Sequence, residues 1–245
     1  MNNPPNQNQA RLNYLLAALP NKVLMGILPK LELALIELGD LLYKPDEKVD
    51  FVYFPTTAVI NLVHIMENGA VAGIGITGNE GMIGISQFMG VETVNNRALV
   101  QSAGETLKMK TKDLQNEFNQ GGVFQILLLR FTMAMMAQIS QTAVCNRLHS
   151  IEQQLCRWLL LTHDRLTTDK IIMTHDQISS ILGVQRASIT LAVHKLTIKN
   201  LIVNGRGAMR IINRIGLEAA VCECYKVVNV EYNRLLGRGL SRTFN

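Results

Sequence analysis

The side chains of this sequence best suited to chemistry gather between Thr174 and Leu196, in the run THDQISSILGVQRASITLAVHKL. Gln185, Arg186, Ser188, Thr190 and His194 carry donors and acceptors at spacings that set them on the outward side of one helix, with Lys195 beside them. Groups of this kind can bond the edges of bases in a major groove, where an arginine offers two parallel donors to guanine O6 and N7. Ile178, Leu182, Val184, Ile189 and Ala192 take the inward positions that lock such a helix onto a preceding one. Gly183 falls where the turn between the two helices needs a left-handed backbone, and Ser179 is small where they must approach. Thr174-x-x-Gln177 is a capping box that opens the first helix. The pattern predicts a helix-turn-helix. Behind it, Leu201-Ile202-Val203, Asn204-Gly205-Arg206-Gly207 and Met209–Ile212 predict a hairpin wing with Arg206 at its tip, placed for phosphate contact.

The charge distribution fits that chemistry. The 245-residue chain has a formal net charge of +5, but residues 1–146 sum to −2 and residues 147–245 to +7. Between Lys170 and Arg214 seven cations face Asp176 alone. A basic C-terminal region on a mildly acidic body fits a polyanion partner or a solvated basic face alike; together with the helix-turn-helix pattern it points to double-stranded DNA, whereas a winged helix that binds only protein would not need this charge. A composition 48% hydrophobic and 18% charged is that of a globular chain, not a disordered one. Unbroken apolar runs are only a few residues long, Ile126–Leu129 stopping at Arg130 and Trp158–Leu161 at Thr162, so no membrane span and no membrane partner is expected. The polar start MNNPPNQNQARLN does not resemble a signal peptide, and a cytoplasmic protein is expected. No zinc-protease, nucleophile-elbow or phosphate-loop motif occurs, and His163-Asp164 and Glu80 stand isolated, so the chain is not read as an enzyme. Cys145 and Cys156 read as buried structural thiols. Cys222-x-Cys224 lacks the spacings of a zinc site, so no metal ligand is assigned.

The elements that must carry these side chains can be read in outline. Residues 1–10 read as a loose arm, and residues 11–40 carry helical periodicity broken at Pro20 and Pro29. Phe51–Phe54, Ala58–Ile65, Ala70–Ile76 and Ala98–Ser102 are β-rich, with turns at Asn68-Gly69, Gly78–Gly81 and Ala103–Glu105, which predicts a small antiparallel roll. Gly122 to Arg147 predicts one long helix. Leu128, Phe131, Met135, Gln138, Thr142 and Cys145 form a seam along it that could face a second copy, while Ile126, Leu127, Leu129, Met133 and Met136 make its start apolar all round. Ser150-x-x-Gln153 opens a further helix to about Leu166, and Ile171–Met173 a short strand. The expected class is α+β: arm and helix over 1–20, roll over 21–121, dimerisation helix over 122–147 and winged helix-turn-helix over 148–245, with the chain itself as a partner in a homodimer.

In SIEQQLCRWLLLTHDRL, MTHDQISSILGVQRASITLAVHKL, NLIVNGRG and LEAAVCECY the chain resembles the Crp/Fnr family of bacterial transcription regulators, and the order roll, long helix, winged helix extends the resemblance over nearly its whole length. The resemblance implies a cyclic-nucleotide-binding-like roll as sensor, a homodimer, a palindromic operator, and RNA polymerase as a further partner if the protein activates. Arg186 matches the family's guanine-reading arginine, but Ala187 and Leu191 stand where a Glu and a further Arg are common. The effector site it implies includes Gly84, Arg97, Ala98 and Gln138. Ile85 replaces the Glu that bonds the ribose of cyclic AMP, and Ala98 the hydroxyl residue after the phosphate-binding Arg, here Arg97. The effector is therefore unknown: a cyclic nucleotide or other small anion, with ordinary cyclic AMP disfavoured. No Cys precedes Cys145, so no iron–sulfur cluster is expected, and His64 reads as an ordinary strand histidine rather than a haem ligand. The alternatives left open are a nucleotide-binding regulatory module without DNA binding and a regulator whose roll is an unliganded scaffold.

Overall fold

A computed structural model describes residues 5–237 and Leu240. Helices α1 (Gln7–Ala10), α2 (Tyr14–Ala17) and α3 (Asn21–Ile27) and a 3₁₀ turn at Leu28–Lys30 precede strands β1 (Leu31–Ile36), β2 (Leu41–Tyr43), β3 (Phe51–Pro55), β4 (Val59–Ile65) and β5 (Val71–Thr77). Helix α4 (Ile85–Phe88), strands β6 (Arg97–Ser102) and β7 (Gly104–Lys110) and helix α5 (Thr111–Asn119) lead into the long helix α6 (Gly122–Leu148). Then follow α7 (Ile151–His163), β8 (Lys170–Ile171), α8 (His175–Leu182), α9 (Arg186–Ile198), β9 (Ile202–Gly205), β10 (Ala208–Ile211), α10 (Arg214–Ala220) and α11 (Cys224–Leu236). Three sheets result, ordered β1-β7-β3, β2-β6-β4-β5 and β8-β10-β9. The chain divides into two compact units, Met1–Leu62 with Thr77–Met135, and Val63–Ile76 with Met136–Asn245.

Strands stand at the expected places, β3 and β6 in the first unit, β4 across the division and β5 almost wholly in the second, but β1 lies where the periodicity predicts helix, and β2 and β7 come in addition to the expected strands. Pro29 ends the helical pattern, and the six residues that follow are too few for a stable helix. They instead pair antiparallel with β7 from Leu31↔Met109 to Ile36↔Gly104. The arm also differs: Asn6 caps α1 through a capping box with Gln9, so only residues 1–4 of it lie outside the described residues. Asn13 is fully buried and fastens this N-terminal segment to the roll. Its Nδ2 donates to the carbonyls of Pro55 (2.9 Å) and Gly81 (2.8 Å), while its Oδ1 accepts from Leu15 and Leu16. Gly81 lets α6 approach, because a Cβ there would lie 2.2 Å from the Phe131 ring.

Helix α6 corrects one expectation. The seam assigned to a second copy is the face that packs on the chain itself: Leu128, Phe131 and Cys145 are 0% exposed, Met135 2% and Gln138 1%. The other face, Ile126, Leu129, Met133, Met136 and Val144, is 44–54% exposed and also follows 3-4 spacing. By length and composition alone α6 could cross a membrane.

In the second unit α7 is buried on nearly every side from Gln154 to His163. At its end Asp164 is fully enclosed. Arg214 Nη2 donates to Asp164 Oδ1 at 2.6 Å, the Tyr225 hydroxyl donates to Asp164 Oδ2 at 2.8 Å, and Arg214 Nη1 lies 2.7 Å from His163 Nδ1. Burial pushes the Asp164 carboxyl up from its ordinary value, and Arg214 and Tyr225 pull against it. This network ties α10 and α11 to α7, and so sets the frame on which α8 and α9 sit. Arg214→Ala strands a buried carboxylate and is expected to cost about 3–5 kcal/mol; urea unfolding followed by circular dichroism reads the loss.

Candidate nucleic-acid interface

The helix-turn-helix is assembled from local bonds. Gln177 N donates to Thr174 Oγ1 (3.2 Å) and Thr174 N to Gln177 Oε1 (2.8 Å), which starts α8. The helix ends at Gly183, whose φ of +66° turns the chain, and Val184 N then donates to Ser179 O at 3.0 Å. A Cβ at Gly183 would meet nothing within 4 Å, so the backbone angle and not crowding demands glycine. Ile178, Ile181, Ile189, Ala192, Val193 and Leu196 are buried between the helices and their support, while Leu182 and Val184 are only half-buried. Ser179 is buried where expected, its hydroxyl donating to Asp176 O.

The residues picked from sequence divide by surroundings. Gln185 caps α9 in backbone geometry only, and its side chain, which makes no cap bond, is exposed. Arg186 is exposed, with Nε 3.3 Å from Asp176 Oδ1. Ser188 is half-buried, and Thr190, His194 and Lys195 are exposed. Lys195 and Lys199 both approach Glu152, at 3.9 and 2.5 Å, and the bond to Glu152 favours the charged form of Lys199. Exposed pairs of this kind are worth little in water, so a phosphate can displace Asp176 or Glu152 at small cost. Arg206 is exposed at the wing, where Gly207 takes φ +69° to close the turn from β9 to β10. Arg210 is exposed on β10.

Sequence reasoning missed His175. Its Nδ1 lies 3.1 Å from Thr190 Oγ1 and its Nε2 3.3 Å from Asn204 Oδ1, so one imidazole joins α9 to the wing. Thr190 also donates to Arg186 O, which leaves its hydroxyl less available to a base than the sequence suggests. The bridge spans 29 residues and has no spacing signal. Leu191, also outward on α9, is 57% exposed and can offer a base only apolar contact.

The residues assigned to an effector differ in their surroundings. Gly84, at φ +98°, is left-handed and tight, since a Cβ would lie 2.8 Å from Val52 Cγ1. Arg97 is half-buried at the start of β6, and its Nε is enclosed without a hydrogen-bond partner. Ala98 is fully buried and pairs with Tyr43 of β2. Gln138 belongs to the second unit and is already occupied. Its Oε1 accepts from Ile76 N at 2.7 Å, and its Nε2 donates to Ile76 O and to the Tyr232 hydroxyl. A cleft of about 560 Å³ in the first unit is lined instead by Lys48, Asp50, Phe51, Gln87, Lys110 and Lys112 among others, and by none of the assigned residues. Cys156 is a buried thiol as expected, and burial raises it to about 12. Cys145, by contrast, meets Cys222, Cys224 and His149, a convergence not visible in the spacing.

Residues 153–220 match the Crp-like helix-turn-helix domain family. Over 78–86% of its length the chain has the fold of solved Crp/Fnr regulators. FixK2 from Bradyrhizobium japonicum superposes with a TM-score of 0.68 at 14% identity, covering 78% of this chain and 98% of its own. A CRP-family transcriptional regulator from Thermus thermophilus gives 0.64 at 12% identity, covering 86% and 100%. The c-di-GMP responsive global regulator CLP from Xanthomonas campestris gives 0.63 at 11%, covering 78% and 99%. No curated protein sequence matches the chain.

Because Gly183 stands in open space, Gly183→Ala tests the turn alone. It is expected to lower stability by about 1–2 kcal/mol, the cost of a left-handed L-residue, seen as a lower urea midpoint with an unchanged slope.

Proposed function

We propose that the chain is a homodimeric transcription regulator of the Crp/Fnr type that reads a two-fold-symmetric DNA site, in the cytoplasm. The observation that carries this reading is the presentation of Gln185, Arg186 and His194 outward on α9 beside a basic wing, with the glycine turn, caps and core that hold α9 in place. Arg186 meets a guanine edge; Lys195 and Arg206 meet phosphates. If the protein activates, RNA polymerase is its further partner.

The roll is the sensor. Ile85 stands in place of the ribose-bonding Glu and the buried Ala98 in place of the hydroxyl residue after Arg97, while Arg97 itself is kept, which favours an effector other than ordinary cyclic AMP. The enclosed, unpartnered Nε of Arg97 favours an anion. The relative described as responsive to cyclic di-GMP offers one such chemistry, a cyclic dinucleotide. Gln138, held by Ile76 and Tyr232, is left out of this site.

The dimer contact is assigned to the exposed stripe of α6 through Ile126, Leu129, Met133 and Met136. An apolar stripe at 3-4 spacing on a helix already packed on its other side is suited to the same stripe of a second copy. Met133→Glu with Met136→Glu is expected to yield a folded monomer in sedimentation, because both side chains lie outside the protomer core; an intact dimer contradicts the assignment. On DNA, Arg186→Ala should cost about 1–3 kcal/mol on the preferred site and relax discrimination at one base of each half-site. Arg206→Ala should weaken all sequences alike and flatten the salt dependence by about one phosphate per contact. Mobility shifts on specific and random duplexes over a salt series distinguish them. Equal loss from both substitutions on both duplexes contradicts the recognition-helix assignment.

A further inference from the structure

Three of the four cysteines and one histidine converge inside the second unit. Cys145 lies in the last turn of α6, and His149 follows one helical turn later, its N–H still bonded to Cys145 O at 3.1 Å. Cys224 is the first residue of α11 and Cys222 lies two residues before it, more than seventy residues further along the chain. The ligand atoms of all four residues lie within 4.8 Å of one another. Cys145 and Cys222 Sγ are 3.6 Å apart, and Cys224 Sγ is 3.4 Å from His149 Nδ1. A tetrahedral zinc ion with Zn–S of about 2.3 Å and Zn–N of about 2.0 Å separates sulfurs by about 3.8 Å and sulfur from nitrogen by about 3.5 Å. These separations suit ligands of a single ion. A cluster of several irons would hold its thiolates farther apart.

The surroundings are those of a metal site. His149 Nε2 lies 3.3 Å from Glu223 Oε2 while Nδ1 faces Cys224 Sγ at 3.4 Å, and a carboxylate on the far ring nitrogen is an arrangement that orients a metal-bound imidazole. Gln141 Nε2 donates to Cys224 Sγ at 3.1 Å. Arg157 of α7 is buried, interacts electrostatically with all three sulfurs and keeps an enclosed Nε without a partner. Among the described residues it has no carboxylate partner. A buried guanidinium without a counter-charge is costly, and thiolates on a metal would supply one. A surface cleft lined by Val221, Cys222, Glu223 and Tyr225 gives access.

We propose that Cys145, His149, Cys222 and Cys224 bind one zinc ion that fastens the end of α6 to the start of α11. Binding exchanges the three thiol protons for the metal and leaves a single net negative charge on the ion and its ligands, facing Arg157. No redox step is involved. The site stands apart from the DNA-binding reading and can be tested without DNA.

The test uses the full chain, carrying no histidine tag, purified under reducing conditions. Elemental analysis is expected to give one zinc per chain. After chelation, cobalt(II) titration should reach its break at one equivalent, with the visible bands of tetrahedral cobalt and thiolate-to-cobalt charge transfer in the near ultraviolet. Cys222→Ser and Cys224→Ser should lose that uptake, while Cys156→Ser, which removes the one cysteine outside the cluster, keeps it. Glu223→Gln alters an exposed carboxylate and is not expected to unfold the chain; it should weaken metal affinity about 10- to 100-fold. A reduced, folded chain that binds less than a fifth of an equivalent of either metal overturns the proposal. So does a Cys145–Cys222 disulfide in the purified protein that persists with zinc present, or equal cobalt uptake by the Cys156 and Cys224 variants.

Discussion

A long helix with apolar side chains on two faces can bury only one of them within its own chain. In α6 the face running through Leu128, Phe131, Met135, Gln138 and Cys145 is covered, while Ile126, Leu129, Met133 and Met136 stay open. The covered face is made specific by its polar members. Gln138 is spent on the backbone of Ile76 and on Tyr232, and Thr142 accepts from Arg157. Unpaired, such groups would be expensive inside a protein, so they fix the rotation of the helix more sharply than apolar packing does. Once that rotation is set, the open stripe has a definite direction, and the proposed dimer contact follows from a core arrangement made elsewhere on the same helix.

The second unit repeats the theme with buried charge. Arg214 is compensated by Asp164 and Tyr225, and the result is a bonded frame joining α7, α10 and α11. Among the described residues Arg157 pairs with no carboxylate; its Nη2 donates to Thr142 Oγ1, and the Cys145, Cys222 and Cys224 thiols are close enough to act on its charge. Arg214 thus closes the C-terminal end of α7, while Arg157 lies at its middle and donates to Thr142 of α6. The recognition helix rests on this frame through Ile189, Val193 and Leu196, whose burial faces Arg186 and His194 outward.

Much of the recognition region was legible in the sequence because its determinants are local. Thr174 and Gln177, Ser150 and Gln153, and the left-handed Gly183 all act within a few residues of themselves, and each forms the cap or turn its spacing predicts. The misses are non-local. Leu31–Ile36 follows directly on a helical stretch and is too short for the alternation of Leu31, Leu33 and Leu35 to settle its state alone; pairing with β7, distant in sequence, makes it a strand. Both faces of α6 satisfy the same 3-4 spacing, so periodicity alone could not say which one the protomer buries. The Cys145–Cys222 contact spans 77 residues, and the His175 bridge to Asn204 needs the wing folded back on α8. In each case the missing information was which distant segment comes near, not which residue type can act.

The central claim is that two copies of α9, related by a two-fold axis, read one duplex. Selection of bound sequences from a random duplex pool by the full-length protein, followed by footprinting of the winners, tests it most directly. The account predicts enrichment of a symmetric sequence whose half-site centres lie about 10 base pairs apart, one helical turn, with protection of both. Enrichment of a single unsymmetric half-site, or binding with no sequence preferred over the pool, would contradict it.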